Sequence, residues 1–467
     1  MTALGRTPSS TSEPAEETAN PRFVDVLVFF CAPTAAVASA FGSIDVLGQA
    51  IYPFKIVIPA LFLASIGRSA NVLRRRGSLA QLLLILAGWS IVGLAWTVDR
   101  VAGAREASIL VFAALAASSL AVACCRPSGV RALLRGWVAA GYLTASVAVW
   151  ELLTGQHLPS AFVAENESQI GGLVLSTFGN PNNFGAFIVL TVPFIGLVAS
   201  KAGTGWGFGS RDRIAAQVVA LLLPTMLVLS GSRLALLGLG LSGVCYVALS
   251  RYWRSAWRLA GGITALGLVL SVVAISSGLE LVGKLEALLD DDPFTIDSVK
   301  SRINLVWNGV DFAWRSHGVG IGPGGFEAAM QAGDYRFPVG PGVVNAHNFW
   351  IEMLGQYGVF GLGVLVVVLL AATKALFRFR RDNVTLSVER AASICLAGFA
   401  GYLVASGAAS SYVNSPENWL FIASYLVMVP AISNLRRRTG PTSASASHDA
   451  KRSLELEPQF ELVKEST

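Results

Sequence analysis

Charged residues are scarce in this sequence of 467 residues: Asp, Glu, Lys and Arg together make up only 14% of it. A soluble domain carries about 25% charged residues, so this chain lacks the side chains that would cover a water-facing surface. Cysteine is also rare. The five cysteines lie in apolar runs without paired or metal-ligand spacing, which excludes a disulfide scaffold and favours small buried hydrophobes. A disordered chain is excluded as well, because 53% of the residues are hydrophobic.

The sequence contains many long runs of apolar residues. Runs of roughly 17 to 25 apolar residues are typical of transmembrane helices. Such runs lie near residues 23–41, 46–66, 79–97, 108–125, 136–153, 184–200, 215–230, 234–250, 259–276, 349–372, 391–409 and 418–434. The sequence therefore predicts an all-α fold, a polytopic membrane helical bundle of about twelve helices.

The positive charge is unevenly placed along the chain. Short connections at 68–76, 126–135, 201–213, 251–258 and 374–390 hold 18 Lys or Arg. The short connections on the other side hold only Arg100, Arg105 and Arg233. Cytoplasmic loops carry such an excess, which predicts that both termini are cytoplasmic. The net charge of +6 is therefore interpreted as a topology signal, and no nucleic-acid partner is expected.

One membrane domain is expected over residues 21–435. The tails at 1–20 and 436–467 have the polar composition of disordered segments and are predicted to be cytoplasmic. Residues 38–40 resemble a signal-peptidase site, but the tail before them is acidic, which is unusual for a signal peptide. The first helix is therefore predicted to remain as an anchor.

Two predicted outer connections are long, about thirty residues at 154–183 and about seventy at 277–348. The second is predicted to contain short helices at 279–289 and 301–315 and a glycine-rich turn at 318–325. Residues 320–325 satisfy G-x-G-x-x-G, but without a βαβ unit they are interpreted as a bend rather than a dinucleotide site. Because loops this long usually carry function, we expect the chemistry on the outer face.

Histidine is the first candidate for that chemistry. Of the four histidines, His448 lies in the C-terminal tail, and His157 and His317 have the simplest interpretation as solvated loop residues. His347 opens the tenth predicted span. If Asn345 or Ala346 caps the helix, the positive end of the helix dipole lies beneath the ring. That field lowers the pKa of the imidazole and leaves it able to accept a proton at neutral pH.

Two arginines lie on the predicted outer side, where positive charge is unexpected. Arg233 falls between two apolar runs on the outer side, against the positive-inside rule, and Arg302 lies in the long outer loop. The structural alternatives are snorkelling to headgroups for Arg233 and a solvated helix face for Arg302. Two arginines can also grip a diphosphate through charge-assisted bidentate hydrogen bonds.

Three amides and a carboxylate complete the set of candidate substrate-binding residues. Asn180 and Asn182 precede the sixth predicted span, where they can cap the helix or offer amides to a sugar. Asn348 lies in the same short motif as the candidate histidine. Glu352 lies in the first turns of that helix, where a carboxylate favours the dipole, and it is a candidate to orient the histidine or an acceptor. The acidic run at 290–292 is interpreted as a solvated turn rather than a site for a divalent ion.

Four local patterns resemble the O-antigen ligase and O-antigen polymerase superfamily of bacterial envelope enzymes. In chain order they are residues 178–182 before a span, 229–233 at the end of one, 302–307 followed by 318–322, and 346–348 running into Glu352, Gly355, Gly358 and Gly361. The resemblance covers residues 170–365, and the first five spans add only hydropathy to it.

The resemblance implies an enzyme that takes a glycan from a polyprenyl-diphosphate-linked donor and passes it to a glycan or glycolipid acceptor. The reaction is implied to lie on the outer side of the cytoplasmic membrane and to need no metal or other cofactor. A single displacement by the acceptor hydroxyl would make it inverting. Residue by residue, Arg233 and Arg302 match the family's diphosphate-binding arginines, and His347 matches its essential outer-loop histidine. The implied partners are the lipid-linked donor, the acceptor and the lipid bilayer.

Two other classes of protein stay open at this point. A transporter or flippase for lipid-linked glycan also needs many helices and buried cations, but it predicts functional charges near the bilayer midplane and an internal repeat. The candidate charges here cluster toward the outer face, and the two halves show no repeat. A non-catalytic export scaffold would not need these side chains together.

Overall fold

Helices build almost all of the described chain. The computed structural model describes residues 21–40, 44–46, 49–51, 53–76, 78–159, 163, 173–250, 293–340, 342–382, 385–407, 409–410 and 412–439. Its α-helices are α1 (Pro21–Ser39), α2 (Pro53–Arg76), α3 (Ser78–Gly93), α4 (Arg100–Ala123), α5 (Pro127–Thr154), α6 (Pro181–Ala199), α7 (Ser210–Ser230), α8 (Arg233–Leu249), α9 (Pro293–Arg315), α10 (Gly325–Gln331), α11 (Phe349–Arg381), α12 (Leu386–Ala405) and α13 (Pro416–Thr439). Single 3₁₀ turns lie at Ser176–Phe178, Gly203–Trp206 and Tyr412–Asn414.

Seven of the described helices are long and apolar enough to cross a membrane, namely α4, α5, α6, α7, α11, α12 and α13. Shorter apolar stretches lie at Phe30–Ser39, Pro53–Leu63, Gln81–Gly93 and Arg233–Leu249. These helices support the predicted multi-pass membrane protein. The predicted span at 259–276 lies outside the described residues, and the figure of about twelve spans stays a prediction.

The span predicted at 46–66 begins later than expected. Residues Ile44–Val46 (β1) and Gln49–Ile51 (β2) pair as short antiparallel strands, and α2 begins only at Pro53. Proline is favoured in the first turn of a helix because its missing N–H has no partner there anyway. The first residues of this apolar run form the strand pair instead of the predicted helix, and Pro53–Leu63 is a shorter apolar stretch.

The described part of the predicted loop at 277–348 contains two helices. α9 includes the predicted helix at 301–315 but already begins at Pro293, and α10 is a short helix that follows the glycine-rich turn. The helix predicted at 279–289 and the acidic run at 290–292 lie outside the described residues.

The glycine-rich turn docks on a break in α11. At Gly358 the backbone of α11 adopts a left-handed φ of 67°, which interrupts its hydrogen-bond ladder. The carbonyls of Gly355 and Gln356 instead accept N–H groups of Ile321 and Gly322 at 2.9 and 3.0 Å. A second backbone contact completes the exchange, since the Val359 N–H donates to the Gly318 carbonyl at 2.9 Å. The turn thereby satisfies backbone groups that a broken helix would leave without partners.

The helix ends form two groups at opposite ends of the bundle. Arg135 pairs with Asp212 at 2.9 Å, and Arg436 pairs with Asp382 at the same distance, so several of the arginine-rich connections meet at one end. The starts of α6, α8, α11 and α13 and the end of α12 lie at the other end. We call this other end the site end.

Aromatic packing holds the first residue of α11 at the site end. Phe349 contacts Tyr402 of α12 and Trp419 of α13 with ring centroids 6.3 and 5.7 Å apart, and Tyr402 stacks on Phe421 at 4.7 Å. These rings are buried. Aromatic pairs of this kind add about 0.5–1.5 kcal/mol each beyond the area that they bury.

Replacing Gly358 with alanine should destabilise the protein by more than about 1 kcal/mol. The left-handed conformation alone costs a residue with a side chain roughly 1–2 kcal/mol, and an added Cβ would lie against the backbone of Gly318 and Val319. The measurement is the apparent melting temperature in detergent, followed by tryptophan fluorescence. Gly363→Ala, on the same helix with open space around its Cβ, is the matched control and should melt at the wild-type temperature or above it. Equal melting temperatures for the two variants would contradict the role given to the break.

Candidate functional site

His347 lies in a turn that is built to present its side chain. Its φ of 47° is left-handed, a conformation rare for a residue with a side chain and often found at functional sites. The next residue, Asn348, is the N-cap of α11, and its side-chain oxygen accepts the N–H groups of Trp350 and Ile351 at 3.0 and 3.2 Å. The Phe349 N–H donates to the Ser406 carbonyl at 3.0 Å. These contacts hold the backbone on which the imidazole is mounted.

A hydrogen-bond chain links the imidazole to the start of α6. The Nδ1 atom of His347 lies 3.1 Å from the Ser410 hydroxyl, and the Ser410 N–H donates to the Asn183 side-chain oxygen at 3.0 Å. Within the described part of the chain, the Nε2 atom has no hydrogen-bond partner. One ring nitrogen is thus held by the protein, and the other is left for a ligand.

The surroundings of His347 keep the imidazole neutral. Burial is the larger cause and the positive charge of Arg302 the second, and together they lower the pKa of His347 to about 4 from 6.5. The sequence predicted a neutral ring from the helix dipole. The pKa of His347 is lowered as that prediction requires, but burial and the charge of Arg302, rather than the dipole, are the causes.

Arg302 is brought to His347 by the segment that follows α10. Along α9, Asn308 exchanges two hydrogen bonds of 2.8 Å with the backbone of Phe337, and the Ser301 hydroxyl accepts the Gly340 N–H at 3.2 Å. This stretch leads directly into the turn that carries His347. Arg302 is itself partly buried, which lowers the pKa of its guanidinium, but the group remains a cation at neutral pH.

Arg233 is the first residue of α8, and its side chain is exposed. The backbone there packs closely against α6. A Cβ added to Gly185 would lie only 2.7 Å from the Cβ of Ser232 and 2.9 Å from the Cβ of Ala235. Gly185 is in the first turns of α6, near Asn183. The structure therefore brings His347 and Arg302 together, whereas for Arg233 it establishes only that the residue lies at the same end of the bundle.

The predicted amides are engaged in helix capping. The Asn180 side-chain oxygen accepts the N–H groups of Asn182 and Asn183 at 2.9 and 3.3 Å, as an N-cap does. Asn348 caps α11 in the same way. Helix capping thus accounts for the side-chain oxygens of Asn180 and Asn348. Asn182 is partly buried in the first turn of α6.

Glu352 is buried and forms no hydrogen bond with the imidazole among the described residues. Its carboxylate accepts the Val413 N–H at 3.3 Å and the Gln356 side-chain amide at 3.4 Å. The contact that orients the imidazole comes from Ser410, which the sequence did not suggest. Ser410 and Asn183 carry no local signal, because they meet His347 only through the packing of distant helices.

Of the remaining loop histidines, His317 fits its interpretation as a solvated residue, whereas His157 does not, because its side chain is only 15% exposed. His157 lies 3.2 Å from the buried carboxylate of Glu151, and His317 is exposed in the turn after α9. No group of three or more His, Cys, Asp or Glu able to hold a metal ion occurs in the part of the chain that the structure describes.

Removing the charge of Arg302 should raise the pKa of His347. In Arg302→Gln the repulsion that disfavours imidazolium is lost, so protonation becomes easier. The pKa should rise above about 4 and stay below 6.5, because burial is the larger cause of the depression. The measurement is a pH titration of ¹³C-labelled histidine by NMR. Lys300→Gln, an exposed neighbour on the same helix, is the matched control and should leave the pKa unchanged; a similar rise in both variants would contradict the assignment.

Residues 218–366 match the protein family described as O-Antigen ligase. The match covers about a third of the chain. It begins in α7, ends in α11 and includes Arg233, Arg302 and His347. No curated protein matches the chain. The match and the seven apolar helices support a multi-pass membrane protein with a glycan-transfer role in polysaccharide biosynthesis. Over residues 218–366 the chain is therefore similar to O-antigen ligases, which supports its resemblance to the O-antigen ligase and polymerase superfamily.

Proposed function

We propose that this protein transfers or polymerises glycan from a polyprenyl-diphosphate-linked donor onto an acceptor hydroxyl at the outer face of the bacterial cytoplasmic membrane. The observation that carries the proposal is the neutral imidazole of His347 beside the guanidinium of Arg302, inside the matched domain. A neutral imidazole accepts a proton from a hydroxyl, and a guanidinium binds a diphosphate.

The surface of α9 suits an amphiphilic donor. Ile303, Trp307, Val310 and Trp314 are all exposed and recur at helical spacing, so they form one apolar stripe. Arg302 lies directly beside the start of this stripe. A polyprenyl diphosphate needs a cation for its diphosphate and an apolar surface for its isoprenoid chain, and α9 offers both next to His347.

The proposed reaction is a single displacement. With Nδ1–H donated to the Ser410 hydroxyl, the lone pair on Nε2 takes the proton of the acceptor hydroxyl. The acceptor oxygen attacks the anomeric carbon as the bond from that carbon to the diphosphate oxygen breaks. The lipid diphosphate leaves with the bonding electrons, and the anomeric configuration inverts. No nucleotide and no metal are needed, since the donor is already activated.

The two arginines would act on the leaving group. Negative charge grows on the diphosphate as the bond breaks, so guanidinium groups there stabilise the transition state more than the ground state. Arg302 is partly buried, where a charge interacts more strongly than in water. A bound diphosphate also offsets the positive field at His347, which raises the pKa of the imidazole and makes it a stronger base once the donor is bound.

A transporter of lipid-linked glycan is the second candidate function. It would favour ionisable groups near the middle of the spans. The buried carboxylates of Glu106, Glu352 and Glu417 instead lie in the first two turns of their helices, at the site end. That location, together with the family match, favours transfer chemistry.

Replacing His347 with alanine should lower glycan transfer by about 100- to 10,000-fold, the usual contribution of a general base. The assay uses purified protein, a lipid-linked oligosaccharide and EDTA, with donor binding measured separately. Donor binding should persist, because the arginines remain. His317→Asn, in an exposed turn, is the matched control and should transfer at the wild-type rate. Wild-type turnover by His347→Ala would remove the imidazole from the mechanism, and a strict need for Mg²⁺ or Mn²⁺ would contradict the metal-free proposal.

Replacing Arg302 with lysine should lower kcat/KM for the donor by about 10- to 100-fold. Lysine keeps the charge but loses the planar fork, and one lost charge-assisted hydrogen bond amounts to roughly 1.5–3 kcal/mol. The measurement is initial-rate kinetics with varied donor. Arg315→Lys is the matched control on the same helix, since Arg315 pairs with Asp311 and Asp334 instead. Equal kinetics for the two variants would rule out bidentate diphosphate binding by Arg302.

A further inference from the structure

A polar cavity of about 190 Å³ lies next to the turn that carries His347. Its floor is made by Glu106 of α4, Glu352 and Gln356 of α11, and Asn414. The exposed side chains of Arg105, Glu327 and Gln331 surround its mouth, Phe326 supplies an apolar wall, and Asn345 joins it to the His347 turn. We call this cavity the carboxylate pocket.

The hydrogen bonds on the floor leave two oxygens without partners. Glu106 accepts the Tyr357 hydroxyl at 2.5 Å and the Asn414 amide N–H at 3.4 Å. Glu352 accepts the Gln356 amide N–H and a backbone N–H. Both side-chain amides thus turn their N–H groups toward the carboxylates. The Gln356 Oε1 and Asn414 Oδ1 atoms are buried and have no partner among the described residues.

Such orphan oxygens are uncommon in a folded protein. Gln356 is only 2% exposed, and a buried acceptor without a partner costs about 1–3 kcal/mol. The cost is recovered if a ligand donates hydrogen bonds to these atoms. The floor presents carboxylate and amide oxygens to the cavity, and these are hydrogen-bond acceptors. A ligand that fits it must therefore carry several hydrogen-bond donors.

Sugar hydroxyls fit this requirement better than an anion or a metal ion. A diphosphate offers only acceptor oxygens, which cannot donate hydrogen bonds to the orphan oxygens of Gln356 and Asn414. In the described residues, Glu106 and Glu352 are joined by no third His, Cys, Asp or Glu that would complete a metal site. A neutral sugar ring supplies several O–H donors at once, and Phe326 offers its apolar face a contact. The cavity has the volume of about six water molecules, at about 30 Å³ each, which suits one ring rather than a chain.

We propose that the carboxylate pocket binds a sugar ring of the acceptor and presents its hydroxyl to His347. This inference rests on the proposed function. The pocket is lined from α4, α10 and α11 and receives no side chain from α9, which carries Arg302. The His347 turn contacts both sides, since Asn345 lines the pocket while Arg302 acts on the imidazole. Donor diphosphate and acceptor sugar would thus approach the base from two different surfaces.

The pocket is tested first by binding alone. The full chain in lipid nanodiscs, free of sugar-based detergent, is titrated with methyl glycosides of glucose, galactose, mannose and N-acetylglucosamine and followed by saturation-transfer difference NMR. At least one glycoside should bind, and Gln356→Leu should weaken its binding at least 10-fold. Gln217→Leu makes the same change on the exposed face of α7 and should bind as the wild type does.

Asn414→Ala serves as the second variant if Gln356→Leu melts at a lower temperature than the wild type. It removes the other orphan oxygen from a partly exposed position and should weaken the same glycoside. Absence of binding by all four glycosides, or wild-type binding by a folded variant, would overturn the inference. Binding of Mg²⁺ or Ca²⁺ that displaces the glycoside would overturn it as well.

Transfer kinetics separate the failure of this inference from the failure of the proposed function. With a lipid-linked donor, Gln356→Leu and Asn414→Ala should raise KM for the acceptor at least 10-fold and leave donor binding unchanged. Transfer with a wild-type acceptor KM in both variants would overturn the acceptor pocket and leave the proposed function standing. Glycoside binding by a wild-type protein that transfers no lipid-linked glycan would overturn the proposed function, and with it the acceptor role.

Discussion

The docking of the glycine-rich turn on the break in α11 determines how the candidate site is assembled. The turn follows α9, which carries Arg302, and α11 begins just after His347. Backbone hydrogen bonds between residues 318–322 and 355–359 therefore set the two helices relative to each other. Each partner needs the other, because a left-handed Gly358 without the turn would leave carbonyls and an N–H unpaired within an apolar helix, where an unpaired group is costly.

This arrangement explains why the resemblance includes glycines far from any chemistry. A Cβ on Gly320 would lie 2.3 Å from the Gln356 carbonyl oxygen, so the backbones approach as closely as glycine permits. The electrostatics of the site follow from that closeness. His347 and Arg302 share a partly buried space in which burial, and secondly the cation, favour the neutral imidazole. Among the described residues no carboxylate forms an ion pair with Arg302. A guanidinium held in this way keeps its affinity for an anion that arrives later.

The sequence predicted well those features that depend on composition along one segment. Hydropathy located the seven helices that are long and apolar enough to cross a membrane, and capping chemistry explains why α6 begins after Asn180. The cap of α11 is Asn348 rather than Asn345 or Ala346. His347 and Arg302 remain predicted site residues, and the pKa of His347 is lowered by burial and by Arg302 rather than by the helix dipole. Contacts between distant segments were not predictable in this way. Ser410 and Asn183 reach the imidazole only because α12 ends where α6 begins, and nothing in the local pattern of either residue indicates it.

Glu106 is a different kind of omission, since a signal was present. An ionisable residue within an apolar run is costly and usually has a function, and Glu106 precedes the long apolar stretch of α4. The break at Gly358 was harder to predict from the sequence, because a glycine in an apolar run is equally compatible with a straight membrane helix. Only the positive φ and the docked turn distinguish the two.

The site end separates its charges by sign across the His347 turn. Arg302 lies on the α9 side, whereas Glu106 and Glu352 lie on the α4 and α11 side, and in the described part of the chain no ion pair joins Arg302 to either of them. In a region of low dielectric, opposite charges that could approach would form a pair and neutralise both surfaces. Keeping them on separate rigid helices preserves a cationic surface and an acceptor-rich surface at once. A neutral imidazole is suited to lie between them, because the positive charge of Arg302 repels an imidazolium. The proposed transfer needs this separation, since its donor is an anion, its acceptor is a polyol, and the proton must pass between them.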